Sequence, residues 1–291
     1  MEVVSYVVNL PRPTARVALE PFSCIHVGNI NMAEKKFLER RDAVKSDPLR
    51  LTLGMVDYGD SIMAGANQMT DKRYNTNTID PRFPTPDDQY RWVRTQFEPI
   101  KGKLLGLLEG NHDYALEEKT GHQYVRELAE DLSVPYLGYA AFIILDFRYQ
   151  GKSIRRSRIF AAHSHFNGTT VGGNMNNLIR ISGFFDADVY LTAHTHRTAF
   201  DESLVVGIEE DGVDENKLPL RKNAKKSFLE LSDNKYEIVK RPKIVASTGA
   251  FMETYVKGHL NYGEKNLLPA LKTGTITIEF DPANGKIHAH K

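Results

Sequence analysis

Five short polar segments each follow an apolar run: Cys24-Ile25-His26, Asp57-Tyr58-Gly59-Asp60, Gly110-Asn111-His112-Asp113, His163-Ser164-His165 and His194-Thr195-His196. Imidazoles and carboxylates brought to one place make a site for divalent transition metals, since imidazole suits ions of the zinc and iron type and a carboxylate can bridge two of them. Seven such ligands would suffice for two metals. Taken singly, each segment has a plain reading. Gly110, Asn111 and Asp113 are turn residues for backbone reasons alone, and a lone histidine at a strand end is commonly a hydrogen-bonded surface residue. Five such segments together, each after an apolar run, favour the metal site. The histidines His122, His259, His288 and His290 lack that context, and the last two read as solvent-facing strand residues.

These segments need elements that carry them to a common rim. Short apolar runs alternate with longer amphipathic or charged stretches, which is the pattern of strands separated by helices. Strands are expected at 22–27, 51–56, 104–108, 139–147, 157–162, 189–193, 244–247 and 274–280, and helices at 32–45, 88–100 and 121–131. Asn284-Gly285 is a two-residue turn signal leading to a last strand near Ile287. The stretch 70–89, dense in Pro, Asp, Asn and Arg, reads as an ordered excursion. A charged insertion is expected near 205–240, densest over 209–226. Strand ends in an α/β protein converge on one rim, where ligands bind. The pattern implies one α/β domain over 1–291, with sheet on sheet flanked by helices.

Composition narrows the function classes. With 291 residues and 41% hydrophobic content the chain can bury a substantial core. A net charge of +1, from 38 Lys+Arg against 37 Asp+Glu, gives no global field toward nucleic acid or anionic membrane. The single cysteine, Cys24, excludes an internal disulfide framework and fits a reducing compartment. Valine runs near the N-terminus are broken by Pro11 and Pro13, so no signal peptide is expected. No apolar run approaches the roughly 20 residues a membrane helix requires. A soluble, cytoplasmic protein without a membrane partner is expected.

The order of these segments resembles the D-x-H, G-D-x-x-D, G-N-H-D/E, lone His and G-H-T-H series of the calcineurin-like metallophosphoesterases, over residues 22–196. That superfamily includes protein phosphatases, cyclic-nucleotide phosphodiesterases and double-strand-break repair nucleases. Gly249-Ala250-Phe251, with Tyr255 and Tyr262 in the tail, is similar to its phage and microbial versions. The resemblance implies a four-layer α/β/β/α sandwich and two divalent metal ions, among Mn, Zn, Fe or Ni. Metal one would be held by His26, bridging Asp57 and His196, and metal two by Asp57, Asn111, His163 and His194. His112 would face the substrate and serve the leaving oxygen, with Asp113 orienting it. Three positions depart from the pattern: Cys24 stands where the family has Asp, Val56 where it has Gly before the bridging Asp, and Ala193 where it has Gly before the last His-x-His. A thiolate at 24 would favour softer ions such as zinc and iron; alternatively Cys24 is inert and metal one is weak or absent.

The implied activity is hydrolysis of a phosphodiester or phosphomonoester by a hydroxide activated between the two metals, with a phosphodiesterase favoured. Two alternatives stand beside it: a nuclease acting on DNA, and a catalytically lapsed fold serving as a binding module. Arg73, Arg82 and the lysines of 222–226 are the cations that would meet a nucleic acid, although a solvated surface loop is the favoured reading. Trp92 reads as a core anchor on a helix. Tyr255 and Tyr262 either wall a pocket or pack beneath the rim.

Overall fold

The computed structural model describes residues 1–62, 78–163, 171–210, 236–256, 258 and 270–291. Arg73, the lysines of 222–226, Tyr262, His259, His165 and most of the expected insertion lie outside them. Two six-stranded sheets are present. The first runs in the order β1 (Glu2–Asn9), β6 (Ala140–Tyr149), β7 (Lys152–Ala162), β8 (Val189–Thr192), β10 (Tyr236–Thr248), β9 (Thr198–Glu210). The second runs β12 (Lys286–His290), β11 (Thr277–Asp281), β2 (Val17–Ser23), β3 (Arg50–Val56), β4 (Leu104–Leu108), β5 (Tyr136–Gly138).

The sheets pack face to face. Leu19, Leu53 and Met55 from one meet Ile143, Leu145, Ile159, Val189, Leu191 and Ile244 from the other in a single apolar layer. On the outer face of the second sheet lie α1 (Glu34–Ser46), α2 (Pro86–Phe97) and α4 (Tyr124–Leu132). Their Phe37, Val93, Phe97, Val125 and Leu128 close over Phe22, Tyr58 and Leu107. On the outer face of the first sheet, α5 (Val171–Ile181) sets Leu178 against Phe160, Tyr190 and Val245. The result is the four-layer α/β/β/α sandwich. Large apolar side chains buried this fully each stabilise the fold by roughly 1.5–3 kcal/mol. Trp92 is the expected core anchor, its ring 5.6 Å from that of Phe37 and 6.0 Å from that of Phe83.

The central strands β2, β3, β4 and β5 run parallel, as do β7, β8 and β10. Strands covered on both faces read as continuous apolar runs, which is why 104–108 is legible residue for residue. The expected strand at 22–27 is displaced: β2 ends at Ser23, and Cys24 to Val27 form the buried loop beyond it. Likewise β8 ends at Thr192, so His194-Thr195-His196 stands in a turn past the strand end. A polar clamp ties these ends together. Thr248 Oγ1 donates to the Thr192 carbonyl at 3.0 Å and lies 2.8 Å from Ser23 Oγ, which donates to the Gly249 carbonyl at 3.0 Å. As expected, His288 and His290 sit on the exposed face of β12, and Asn284-Gly285 turns β11 into it with Gly285 at φ 63°. Among the described residues no helix is long and apolar enough to cross a membrane.

Candidate metal centre

All seven candidate donors follow the carboxyl ends of parallel strands: Cys24 and His26 after β2, Asp57 after β3, Asn111 after β4, His163 after β7, His194 and His196 after β8. The backbone there is unusual. Of the nine non-glycine residues with positive φ among the described residues, five are candidate ligands: Cys24 (50°), His26 (52°), Asp57 (49°), His194 (83°) and His196 (56°). Each such residue costs of order 1–3 kcal/mol, and strain of this kind concentrates at functional sites. Backbone bonds hold it in place, with Cys24 N donating to the Val56 carbonyl at 2.9 Å and His26 N to that of Asp57 at 3.1 Å.

Two donor groups result. In the first, one donor atom each from Cys24, His26 and His196 lie within 4.8 Å of one another. His26 Nε2 and His196 Nε2 stand 3.1 Å apart, and Cys24 Sγ lies 3.9 Å from Asp57 Oδ2. In the second, Asp57, His163 and His194 are similarly close. There Asn111 Oδ1 meets both His163 Nε2 and His194 Nδ1 at 3.0 Å. Asp57 belongs to the second group and borders the first. Its approach requires Gly110, because a Cβ at that position would stand 2.1 Å from Asp57 Oδ1.

A third group was not foreseen as part of the site. Asp60 Oδ1 lies 3.4 Å from His26 Nδ1 and 3.8 Å from His112 Nδ1, and the Asp60 carbonyl accepts from His112 Nδ1 at 3.1 Å. Asp60 therefore takes the orienting position expected of Asp113. The Asp113 carboxylate is turned away from the His112 ring: Oδ2 accepts the amides of Asp57 (2.9 Å) and Gly110 (3.0 Å), and Oδ1 accepts the Tyr90 hydroxyl (2.5 Å). The reason is helical. Asp113 is the third residue of α3 (Asn111–Thr120), where a carboxylate reaches back to the amide of the N-cap, here Gly110. Tyr90 is delivered by α2, whose start is fixed by Thr85 Oγ1 accepting the Asp88 amide at 3.2 Å, with Pro86 following.

The electrostatics follow from this packing. Burial alone would raise the Asp57 carboxyl, but the nearby imidazoles of His112, His26 and His163 and the His112 amide hold it well below the usual range. That amide, donating to Asp57 Oδ1 at 3.1 Å, lies in the first turn of α3, where the helix favours negative charge. Asp113 moves the other way, pushed up to about 7 by burial and then by the charge of Asp57. Burial opposes charge on His26, yet the bond to Asp60 and the charge of Asp57 raise it overall. Partial enclosure and the neighbouring His26 lower His196 to about 3. Two imidazole nitrogens 3.1 Å apart require a shared proton or another cation between them, so this donor set suits a divalent ion.

Other expected residues sit elsewhere. Arg82 is engaged with Asp80 at 2.7 Å and Glu34 at 2.8 Å. Tyr255 is 43% exposed, and His122 pairs with Glu127 at 2.8 Å.

No family model and no curated protein matches the chain. Among solved structures it is similar to a metallophosphoesterase from Sphaerobacter thermophilus, at 11% identity and a TM-score of 0.35, covering 95% of this chain and 87% of that one. It is also similar to two forms of Vps29 from Entamoeba histolytica, each at 10% identity and covering 95% of this chain and 97% of the other. These are a single-site variant (TM-score 0.27) and the wild type complexed with zinc (TM-score 0.28). The layer architecture is the sandwich expected from the sequence.

Proposed function

We propose that residues 1–291 form one metal-dependent phosphoesterase domain that hydrolyses a phosphodiester or phosphomonoester. The observation that supports this most is the position of Asp57, buried and held ionised between two clusters of nitrogen, oxygen and sulfur donors. On this reading His26, Asp57 and His196 would hold one divalent ion, and Asp57, Asn111, His163 and His194 the other. Ions bound there would supply Lewis acidity toward a water and toward phosphate oxygens.

The remaining work falls to the protein. Against burial, the imidazoles of His112, His26 and His163, and last the His112 amide in the first turn of α3, keep Asp57 ionised. His112 is one-fifth exposed at its side chain. Its Nδ1 donates to the Asp60 carbonyl, so Nε2, protonated when the ring is the imidazolium, is the atom that passes a proton to the leaving oxygen and is left as an acceptor. Asp60 fixes the His112 ring, and Asp113 fixes the loop that carries Asp57.

Hydrolysis of bis-p-nitrophenyl phosphate by metal-stripped protein, resupplied with Mn, Zn, Fe(II) or Ni, tests the proposal with His194→Ala as control. Metal-dependent turnover that the control abolishes is expected. No turnover with any metal would overturn the reading and favour a binding module. Cleavage of DNA with binding that weakens steeply in salt would redirect it to a nuclease.

A further inference from the structure

We infer that Cys24 is a thiolate ligand of the position formed by His26 and His196, so that the two metal positions are chemically unlike. This rests on the phosphoesterase reading and deepens it. A cysteine kept only for packing has no need of polar company around its sulfur. Cys24 is wholly buried and belongs to the apolar layer between the sheets, yet its Sγ lies 3.9 Å from a carboxylate oxygen. It also shares a 4.8 Å cluster with donor nitrogens of His26 and His196.

Those two nitrogens supply the independent observation. They stand Nε2 to Nε2 at 3.1 Å beside the sulfur, a spacing that either a proton shared between the rings or a cation held by both satisfies, and the neighbouring sulfur and carboxylate suit the cation. With Asp57 at the border, the set becomes one sulfur, two imidazoles and one carboxylate, which is a four-donor set of the kind zinc accepts. The second position, with Asp57, Asn111, His163 and His194, offers only nitrogen and oxygen. A softer ion, zinc or iron(II), is therefore assigned to the first position, and the second is open to harder ions such as manganese. On ligation the S–H bond breaks, its proton leaves to the buffer, and the sulfur lone pair binds the metal.

The chain contains one cysteine, so a sulfur-to-metal signal reports Cys24 alone. The experiment loads metal-stripped, full-length protein with cobalt(II), counts cobalt per chain, and records the near-ultraviolet thiolate-to-cobalt charge-transfer band before and after chelation. The band is expected in the wild type and lost in Cys24→Ser and Cys24→Asp, while Cys24→Asp still binds two cobalt ions. Zinc at this position should weaken in Cys24→Ala by more than the roughly 10- to 100-fold that loss of an outer-shell partner costs. Cobalt bound by the wild type without the band would overturn the thiolate assignment and leave the phosphoesterase reading standing. No cobalt bound by either the wild type or Cys24→Asp would overturn both. The wild-type spectrum decides even if a variant fails to fold.

Discussion

Asp113 Oδ2 accepts the backbone amide of Asp57 at 2.9 Å, so the carboxylate expected to orient His112 instead holds the end of β3. The first turn of α3 and the end of β3 thereby hold one another. Asp113→Ala leaves the Asp57 and Gly110 amides and the Tyr90 hydroxyl without their acceptor, at a cost of about 2–4 kcal/mol, measurable by urea unfolding.

The pH dependence separates charge from hydrogen bonding at the same residue. In the fold Asp113 is raised to about 7 from an ordinary 3.8. Between those values the folded chain holds a proton that the unfolded chain releases, so this group's contribution to stability falls as pH rises. Asp113→Asn keeps an oxygen for the two amides and removes the titration. Metal-free Asp113→Asn should gain on the wild type by about 1–3 kcal/mol between pH 5 and pH 8. Parallel stability curves for the two proteins would contradict this.

His112 is assigned to the leaving group. His112→Ala should lower kcat by about 10²- to 10⁴-fold with metal content retained. Elemental analysis beside the kinetics checks it, and equal loss of both would move His112 among the ligands.

Asp60 lies 3.4 Å from His26, the proposed ligand, and 3.8 Å from His112, the proposed proton donor. Asp60→Ala should therefore do two things at once: weaken metal binding by about 10- to 100-fold and depress kcat in protein resaturated with metal. Full recovery of kcat at saturating metal would confine Asp60 to His26.

Gly110 leaves room for the Asp57 carboxylate. Its φ of −105° suits any residue, so Gly110→Ala acts through contact alone, with the new methyl 2.1 Å from Asp57 Oδ1. Displacement of Asp57 should abolish metal binding by calorimetry and cost about 1–3 kcal/mol in stability.

The sequence made the central strands and the gathering of donors legible because strands buried on both faces leave unbroken apolar runs that stop where polar residues begin. Other elements left weaker traces. β1 is an edge strand whose outer face exposes Val3 and Val7, so its valines read as isolated runs before Pro11. α5 contains two glycines and three asparagines, poor helix formers, and rests on Leu178 packing against the sheet. β9 carries acidic pairs at Asp201-Glu202 and Glu209-Glu210 around a short apolar stretch and takes its form from pairing with β10. In the first loop, Ile25 and Val27 are apolar because they are buried beyond the strand end. Asp60 stood in view three residues after Asp57, but spacing cannot tell which of Asp60 and Asp113 faces His112. That choice is made by α3, which turns Asp113 toward its own N-terminus.

The five ligand candidates with positive φ turn the site into a standing load on the fold. Glycine adopts that conformation freely, whereas cysteine, histidine and aspartate resist it. A chain with no use for metal would be relieved by glycine at any of these positions, and relief at all five would amount to several kcal/mol, comparable with the net stability of a whole domain. On the proposed reading, carrying that load in the absence of metal would make ions bound there a source of folding stability as well as reactivity. Starvation for metal would then reach this protein first through its abundance and its lifetime against proteases.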